Sequence, residues 1–419
     1  MAISICTRIL IIILTCLSAN HHALAQNQQP AKPWTGTLGD RTIIDEAGLR
    51  EILRLHKKWM QTSGREGKKA NFERANLVGA NFQDADLREA NFRQSNLSKA
   101  DFQGAKPLEA DFQGAQLFGT KFQGAKLNDA QFPRATISSV QFQNAVLWFA
   151  NFSDATLFET NFQKAALEGA SFERAVLLSV NFLQADLRTS FFDGARFELK
   201  PNCLPQIQSF PTVKGLSTLK YEKTPHALIE LREALKKAGM RKQEREITYA
   251  IKHSGFLLGL KDGDWWTKAE VVAGYIAFDL TCQWGMSPER PLVILFCLMI
   301  ILIFPYAFSI RQMKKMNGIW QVWIHDRMRQ DLGKERPILL RSKKRDSIGY
   351  AIYFSILSAF NIGWRDLNVG NWIARIHPKE YNLRASGWVR VVSGVQSILS
   401  VYLLALTVLT YFGRPFESF

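Results

Sequence analysis

The sequence predicts a solenoid followed by a helical membrane region, and three observations predict it. A five-residue pattern runs without interruption over residues 70–199. Two uncharged apolar runs, 291–310 and 391–412, are long enough to cross a bilayer core. The first 25 residues have the layout of an export signal. A chain of 419 residues has room for two or three domains, and 47% hydrophobic with 21% charged residues is the composition of a folded protein.

At the N-terminus, Arg8 precedes an apolar core over residues 9–19, and Ala23 and Ala25 form a small-residue cleavage site. Residues 1–25 therefore read as a signal peptide cut after Ala25, and the apolar core is too short for a spanning helix. An uncleaved anchor is the alternative. Cleavage leaves Cys203, Cys282 and Cys297, spaced too widely for a disulfide framework or a metal motif.

From Ala70 the chain reads "ANFER ANLVG ANFQD ADLRE ANFRQ SNLSK", and 26 pentads follow with no insertion. Alanine opens 20 of them, and Ser, Thr or Val opens the rest. The third position is Phe in every odd pentad, from Phe72 to Phe192, and mostly Leu in the even ones. Neither a helix nor a plain strand repeats every five residues, whereas a solenoid coil can.

This A-(D/N)-(L/F)-x-x unit resembles the pentapeptide-repeat family over all of residues 70–199. The resemblance implies an all-β, right-handed quadrilateral β-helix with one pentad per face and twenty residues per coil. The side chains suit such a fold. One position in five must fill the axis, a second must be small where the chain turns, and three face water. Phenylalanines ten residues apart would then form two columns that stack coil upon coil. The 26 pentads make six and a half coils, roughly 31 Å at about 4.8 Å per coil.

End coils of a rod leave backbone groups unpaired. Residues 43–64 carry Leu49, Ile52, Leu53, His56 and Trp59 at helical spacing and are expected to form a helical N-terminal cap, with His56 in a packing role. Some members of the family mimic DNA, which requires a strongly acidic surface. Residues 70–199 hold 12 basic and 15 acidic residues, so neither mimicry nor nucleic-acid binding is expected. Bulky apolar residues do occupy outward positions. Phe118, Phe158 and Leu178 share one face, while Leu108 and Trp148, with Phe149 beside it, share the opposite one. These two groups are the candidate contact patches.

Beyond the repeats, a proline-containing stretch over 200–224 reads as a linker. Residues 225–287 read as a helical and interfacial segment, with Leu228, Leu231, Leu235, Ile247 and Ile251 as apolar positions and Trp265, Trp266, Tyr275 and Trp284 suited to a membrane boundary. Residues 288–412 form the membrane region. Its spans, 291–310 and 391–412, flank a loop holding a pore-helix-like element at 347–366, whose uncharged part could be a short span, a re-entrant element or a surface helix. Residues 316–333, with Ile319, Trp320, Val322, Trp323 and Met328 beside Arg327 and Arg329, read as a basic amphipathic helix lying on the inner leaflet or packed on the spans. Span, pore helix and span resemble a two-transmembrane ion-channel module. Where that family's filter reads T-(V/I)-G-(Y/F)-G-D, this chain has Asn361, Ile362, Gly363, Trp364, Arg365 and Asp366. Arg365 replaces the second filter glycine, which puts a positive charge beside a cation path, so potassium selectivity is expected to be lost.

The net charge of +16 is concentrated: residues 311–390 hold 16 basic and 6 acidic residues. The positive-inside rule places that loop in the cytoplasm, and the export signal places the rod outside. The filter-like stretch would then face the wrong way for a channel. No HExxH, GxSxG, phosphate-cradling or paired-cysteine motif occurs. The sequence thus leads to a non-catalytic scaffold in a bacterial inner membrane, with no cofactor or metal and its repeat domain in the periplasm. Membrane lipids and an envelope protein or polymer are the expected partners, and a homo-oligomer is compatible with the pattern. The alternative is a divergent ion-channel or transport component with a degenerate filter.

Overall fold

The structure, a computed structural model, describes residues 33–199, 201–222, 224–312, 317–323, 338–340, 344–360 and 381–412. It divides into two compact units, residues 1–258 and 259–419.

The first unit opens with a hairpin, β1 (Thr35–Thr37) and β2 (Ile43–Asp45), followed by helix α1 (Glu46–Gln61). The Asp45 carboxylate accepts the Gly48 N–H at 2.8 Å and caps the helix. The cap expected over 43–64 is thus a helix of 16 residues, preceded by a strand that periodicity does not reveal. Thr37 exchanges both backbone hydrogen bonds with Asn76 in the first coil, at 2.9 and 2.7 Å, which pairs one face of an otherwise open edge. Leu49 and His56 are buried.

In the repeats, positions 1 and 3 of each pentad point inward and the others point outward. Backbone bridges join residues twenty apart in parallel, as Asn71 to Asn91 and Asn91 to Asp111, so each coil closes after four pentads. The fifth position takes a left-handed backbone whether or not it is glycine: Arg74 has φ 57° and Lys99 has φ 60°. Most turns close with a hydrogen bond from the next pentad's first N–H, such as Ala75 to Phe72 O at 3.1 Å. On one face Thr120, Val140, Thr160 and Val180 replace alanine. There the backbone stays extended as β3 (Gln116–Phe118), β4 (Thr136–Ser138), β5 (Thr156–Phe158) and β6 (Val176–Val180), which with β7 (Arg196–Leu199) form a parallel sheet. A β-branched side chain favours extended backbone and is bulkier than the methyl that fits inside a tight turn.

The phenylalanines stack as the spacing predicts. Rings twenty residues apart lie 4.6–5.2 Å apart and near parallel. Rings ten apart meet edge to face at 5.6–6.3 Å. Each such pair contributes about 0.5–1.5 kcal/mol beyond the burial itself.

Over 200–224 the broken pentad pattern suggests a linker, but residues 201–222 add a further, irregular coil: Phe191 pairs with Lys214 and Arg196 with Lys220, offsets of 23 and 24 instead of 20. Two 3-10 turns, Ile207–Thr212 and Leu216–Thr218, take up the extra residues. Phe210, Val213, Leu216 and Leu219 enter the same core as the repeats. Helices α2 (His226–Lys237) and α3 (Arg241–Asp262) follow, and Leu228, Leu231, Leu235, Ile247 and Ile251 are buried in that core too. The solenoid therefore has helices at both ends.

The second unit begins with α4 (Trp265–Gly274), where Trp265 and Trp266 are exposed with rings 3.8 Å apart. Helices α5 (Arg290–Gln312) and α7 (Trp388–Phe412) are long and apolar enough to cross a membrane, by length and composition. Between them in sequence lies α6 (Lys344–Ala359), which packs on both. A polar network joins the three. The Tyr306 hydroxyl donates to Gln396 Oε1 at 2.7 Å, Gln396 Nε2 donates to Ser355 O at 3.0 Å, and Ser355 Oγ donates to Met299 O at 2.8 Å. Residues 319–323 are not part of an amphipathic helix. They form β8 (Ile319–Trp323), paired antiparallel with β9 (Ile338–Leu339) and β10 (Tyr381–Ala385). A run of Ile, Trp, Val and Trp suits a strand better than a helix. The filter-like residues Asn361 to Asp366 lie outside the described residues, as does Ala25.

Candidate interaction surface

Pentad geometry decides what the solenoid can present. Positions 2, 4 and 5 face outward, and each column along a face repeats every twenty residues. Ion pairs cross between coils on these columns, as Arg174 to Asp154 at 2.9 Å. The Arg174 guanidinium holds the Asp154 carboxyl below the usual carboxylate range. Such exposed pairs contribute at most about 1 kcal/mol each.

The six candidate residues divide into two kinds. Phe118, Phe158 and Leu178 occupy one column with Ser138 between the two rings, and backbone pairing fixes their register. All three are only half-buried, while Ser138 is fully buried. Ser138 is small and flanked above and below by phenylalanine, so the column covers itself in part. Leu108, on the opposite face, is half-buried and separated from Trp148 by the Asn128 coil.

Trp148 and Phe149 are different. They are 44% and 59% exposed, the only aromatic side chains so open on the described coils. Phe149 takes the fifth pentad position with φ 57°, and its N–H donates to Glu168 O at 2.9 Å. Its ring lies over Gly169 in the next coil, where a Cβ would come within 2.4 Å of Phe149 Cδ1. The absence of a Cβ at Gly169 thus leaves a slot that one edge of the ring occupies. Beside it, Glu168 pairs with Arg188 at 3.2 Å and gives the aromatic pair a charged rim. Columns twenty apart place Trp148 and Phe149 on the patch; the slot at Gly169 becomes legible only once the left-handed fifth position is known.

His56 is fully buried at the N-terminal cap. Its Nδ1 accepts the Ala70 N–H at 3.1 Å and its ring stacks on Trp59 at 5.7 Å. Burial pushes its pKa down. The imidazole thus takes up one backbone donor at the open edge of the first coil while it packs there, the packing role expected of it.

The model for pentapeptide repeats (8 copies) matches residues 68–104, 110–148, 135–174 and 150–194. Among solved structures, a trypsin-treated form of QnrB1, described as a plasmid-mediated fluoroquinolone resistance protein, is 20% identical, with 40% of this chain and 83% of that one covered and a TM-score of 0.30. HetL, a pentapeptide repeat protein involved in heterocyst differentiation regulation from Nostoc sp. strain PCC 7120, is 22% identical, covering 40% and 78%, with a TM-score of 0.16. A pentapeptide repeat protein from the Arabidopsis thaliana thylakoid lumen is 28% identical, covering 25% and 66%, with a TM-score of 0.12. The comparison with curated proteins gives no match. The matched repeats, the twenty-residue ladder and the inward Ala and Phe/Leu positions agree, and residues 68–194 of this chain belong to the pentapeptide-repeat family.

Proposed function

We propose that the chain is a non-catalytic scaffold, anchored in a bacterial inner membrane, whose β-helix offers a binding surface to an envelope protein or polymer in the periplasm. The observation that carries the anchoring is the exposure of large apolar side chains along both long helices. On α5, Phe296, Ile301 and Phe304 are 61%, 61% and 73% exposed; on α7, Val391, Ile398 and Phe412 are 66%, 71% and 77% exposed. A helix apolar on its outward face as well as its packed face is stable where the surroundings are apolar too. The export signal and the basic loop supply the orientation.

Binding is assigned to Trp148 and Phe149. An exposed aromatic pair with a charged rim, more open than any other aromatic side chain on the described coils, has the make-up of an interface anchor. The rigid ladder beneath it keeps the ordering cost of binding low. A photo-cross-linking amino acid at position 148 in the full chain, expressed in a bacterial host, should give one discrete adduct, and the same probe in place of Lys126 should give none. Equal labelling from both positions would sink the assignment. The ion-channel alternative rests on the order span, pore-helix-like element and span over 288–412 and on the filter-like residues 361–366; the latter lie outside the described residues, and the alternative is not carried forward.

A further inference from the structure

We infer that the second unit carries a site for one anionic phospholipid on the outer face of α5, an inference that rests on the membrane reading above. A groove of about 790 Å³ runs along this face, lined by Ile300, Phe304, Ala307 and Phe308 of α5 and by Ile348 of α6, with Arg311 at its end. Ile300, Phe304, Phe308 and Ile348 are exposed along it, Ala307 is its buried floor, and Pro305 interrupts the helical hydrogen-bond ladder within it.

Its dimensions and its charge select the occupant. From residue 300 to residue 311 the helix rises about 16 Å. One leaflet of a bilayer core is about 15 Å thick. The groove therefore spans a single leaflet and stops where headgroups begin, the length of one acyl chain with a phosphate at its end. Arg311 Nε donates to Ser347 Oγ at 3.3 Å, which fixes the guanidinium at the groove mouth. Among the described residues no carboxylate pairs with Arg311. The carbonyl end of α5 carries about half a negative charge, and the full positive charge of Arg311 outweighs it. A headgroup with a net negative charge, such as phosphatidylglycerol, fits this mouth better than a zwitterionic one, whose ammonium would sit beside a guanidinium. A helix of a second copy laid in the same groove would leave Arg311 without a counter-charge.

The test uses the full chain purified in neutral detergent, given phosphatidylglycerol and phosphatidylethanolamine in equal amounts, with bound lipid counted by native mass spectrometry. One phosphatidylglycerol per chain is expected, preferred about fivefold, the equivalent of about 1 kcal/mol for one charge at the membrane surface. Arg311→Lys should keep the preference and Arg311→Gln should abolish it, while Ala307→Trp should expel lipid of both kinds. Helicity by circular dichroism identifies any variant that has not folded, and the two Arg311 variants decide the matter if Ala307→Trp is one of them. Equal retention of the two lipids by the native chain, or lipid-free dimers, would overturn the site. A chain that stays soluble without detergent would instead refute the membrane reading itself.

Discussion

Phe132 lies at the middle of the aromatic column, and its replacement tests whether that column sustains the solenoid. The side chain is fully buried. Its ring stacks between Phe112 and Phe152 at 4.7 and 4.8 Å and meets Phe122 and Phe142 edge to face at 6.3 and 6.1 Å. Phe132→Ala removes all four contacts and leaves a cavity that a hydrogen-bonded ladder cannot close, at a cost of about 3–5 kcal/mol. For a unit of this size that lowers the melting temperature by about 6–20 °C. Phe132→Leu, which places in this pentad the residue that even pentads already use, should cost less. Phe132→Asp should cost more, because an unpaired carboxylate would lie on the axis. Glu168→Gln is the control: its ion pair with Arg188 is exposed, and Arg188 keeps Asp186 at 2.8 Å. The assay is thermal unfolding of the full chain by circular dichroism at 218 nm, chosen to follow the strands, with hydrogen exchange to locate the loss. Opening confined to the coils around residue 132 is expected, since each coil contacts only its neighbours. Equal melting of Phe132→Ala and Glu168→Gln would show that the inward assignment is wrong.

Three further outcomes follow from the geometry. His56 is held below its ordinary value of 6.5, chiefly by burial, with Asp86 and Glu89 opposing and Lys69 adding to the shift. A depressed pKa means that the folded state prefers neutral imidazole, so this contribution is complete above the unfolded value and is lost as pH falls through the folded one. Between pH 7.5 and 5 the native chain should therefore lose more stability than His56→Gln, whose amide oxygen can still accept the Ala70 N–H; parallel losses would contradict this. Gly169→Ala should cost about 0.5–1.5 kcal/mol more than Gly124→Ala, because both glycines are left-handed but only the first has a ring against it. Identical melting of the two variants would mean that the slot does not hold Phe149. Gln396→Leu, which cuts Tyr306 and Ser355 from the helix network, should lower stability in detergent by about 0.6–1.7 kcal/mol. An unchanged midpoint would show that the network is incidental.

The sequence makes the repeat region legible because its periodicity is dictated by backbone geometry. A residue that must fill the axis every fifth place leaves no freedom at that place, so Phe72 to Phe192 can be assigned inward without a structure. That constraint ends with the last pentad, at Leu199. The final coil has offsets of 23 and 24, so its members Phe210, Val213, Leu216 and Leu219 keep no period even though they share the same core. Apolar positions on α2 and α3 were readable from helical spacing, but not that they cover the last coil. In the second unit, length and composition mark α5 and α7, whereas the short strand at 319–323 depends on partners at 338–339 and 381–385, far along the chain. Outward patches were only half legible. Register places Phe118, Ser138, Phe158 and Leu178 in one column, but how far a ring protrudes depends on neighbours above and below, and the full burial of Ser138 between two rings is not written in the period.

Orientation of the chain across the membrane is the central claim, since the scaffold reading requires the β-helix outside and the basic loop inside. Alkaline phosphatase, which is active only after export, can be fused after Lys220, after Arg345 and after Phe419 in a bacterial host. Active fusions after Lys220 and Phe419 and an inactive one after Arg345 are predicted, because 16 of the 22 charged residues between 311 and 390 are basic. The reverse pattern would put the solenoid in the cytoplasm and contradict the account.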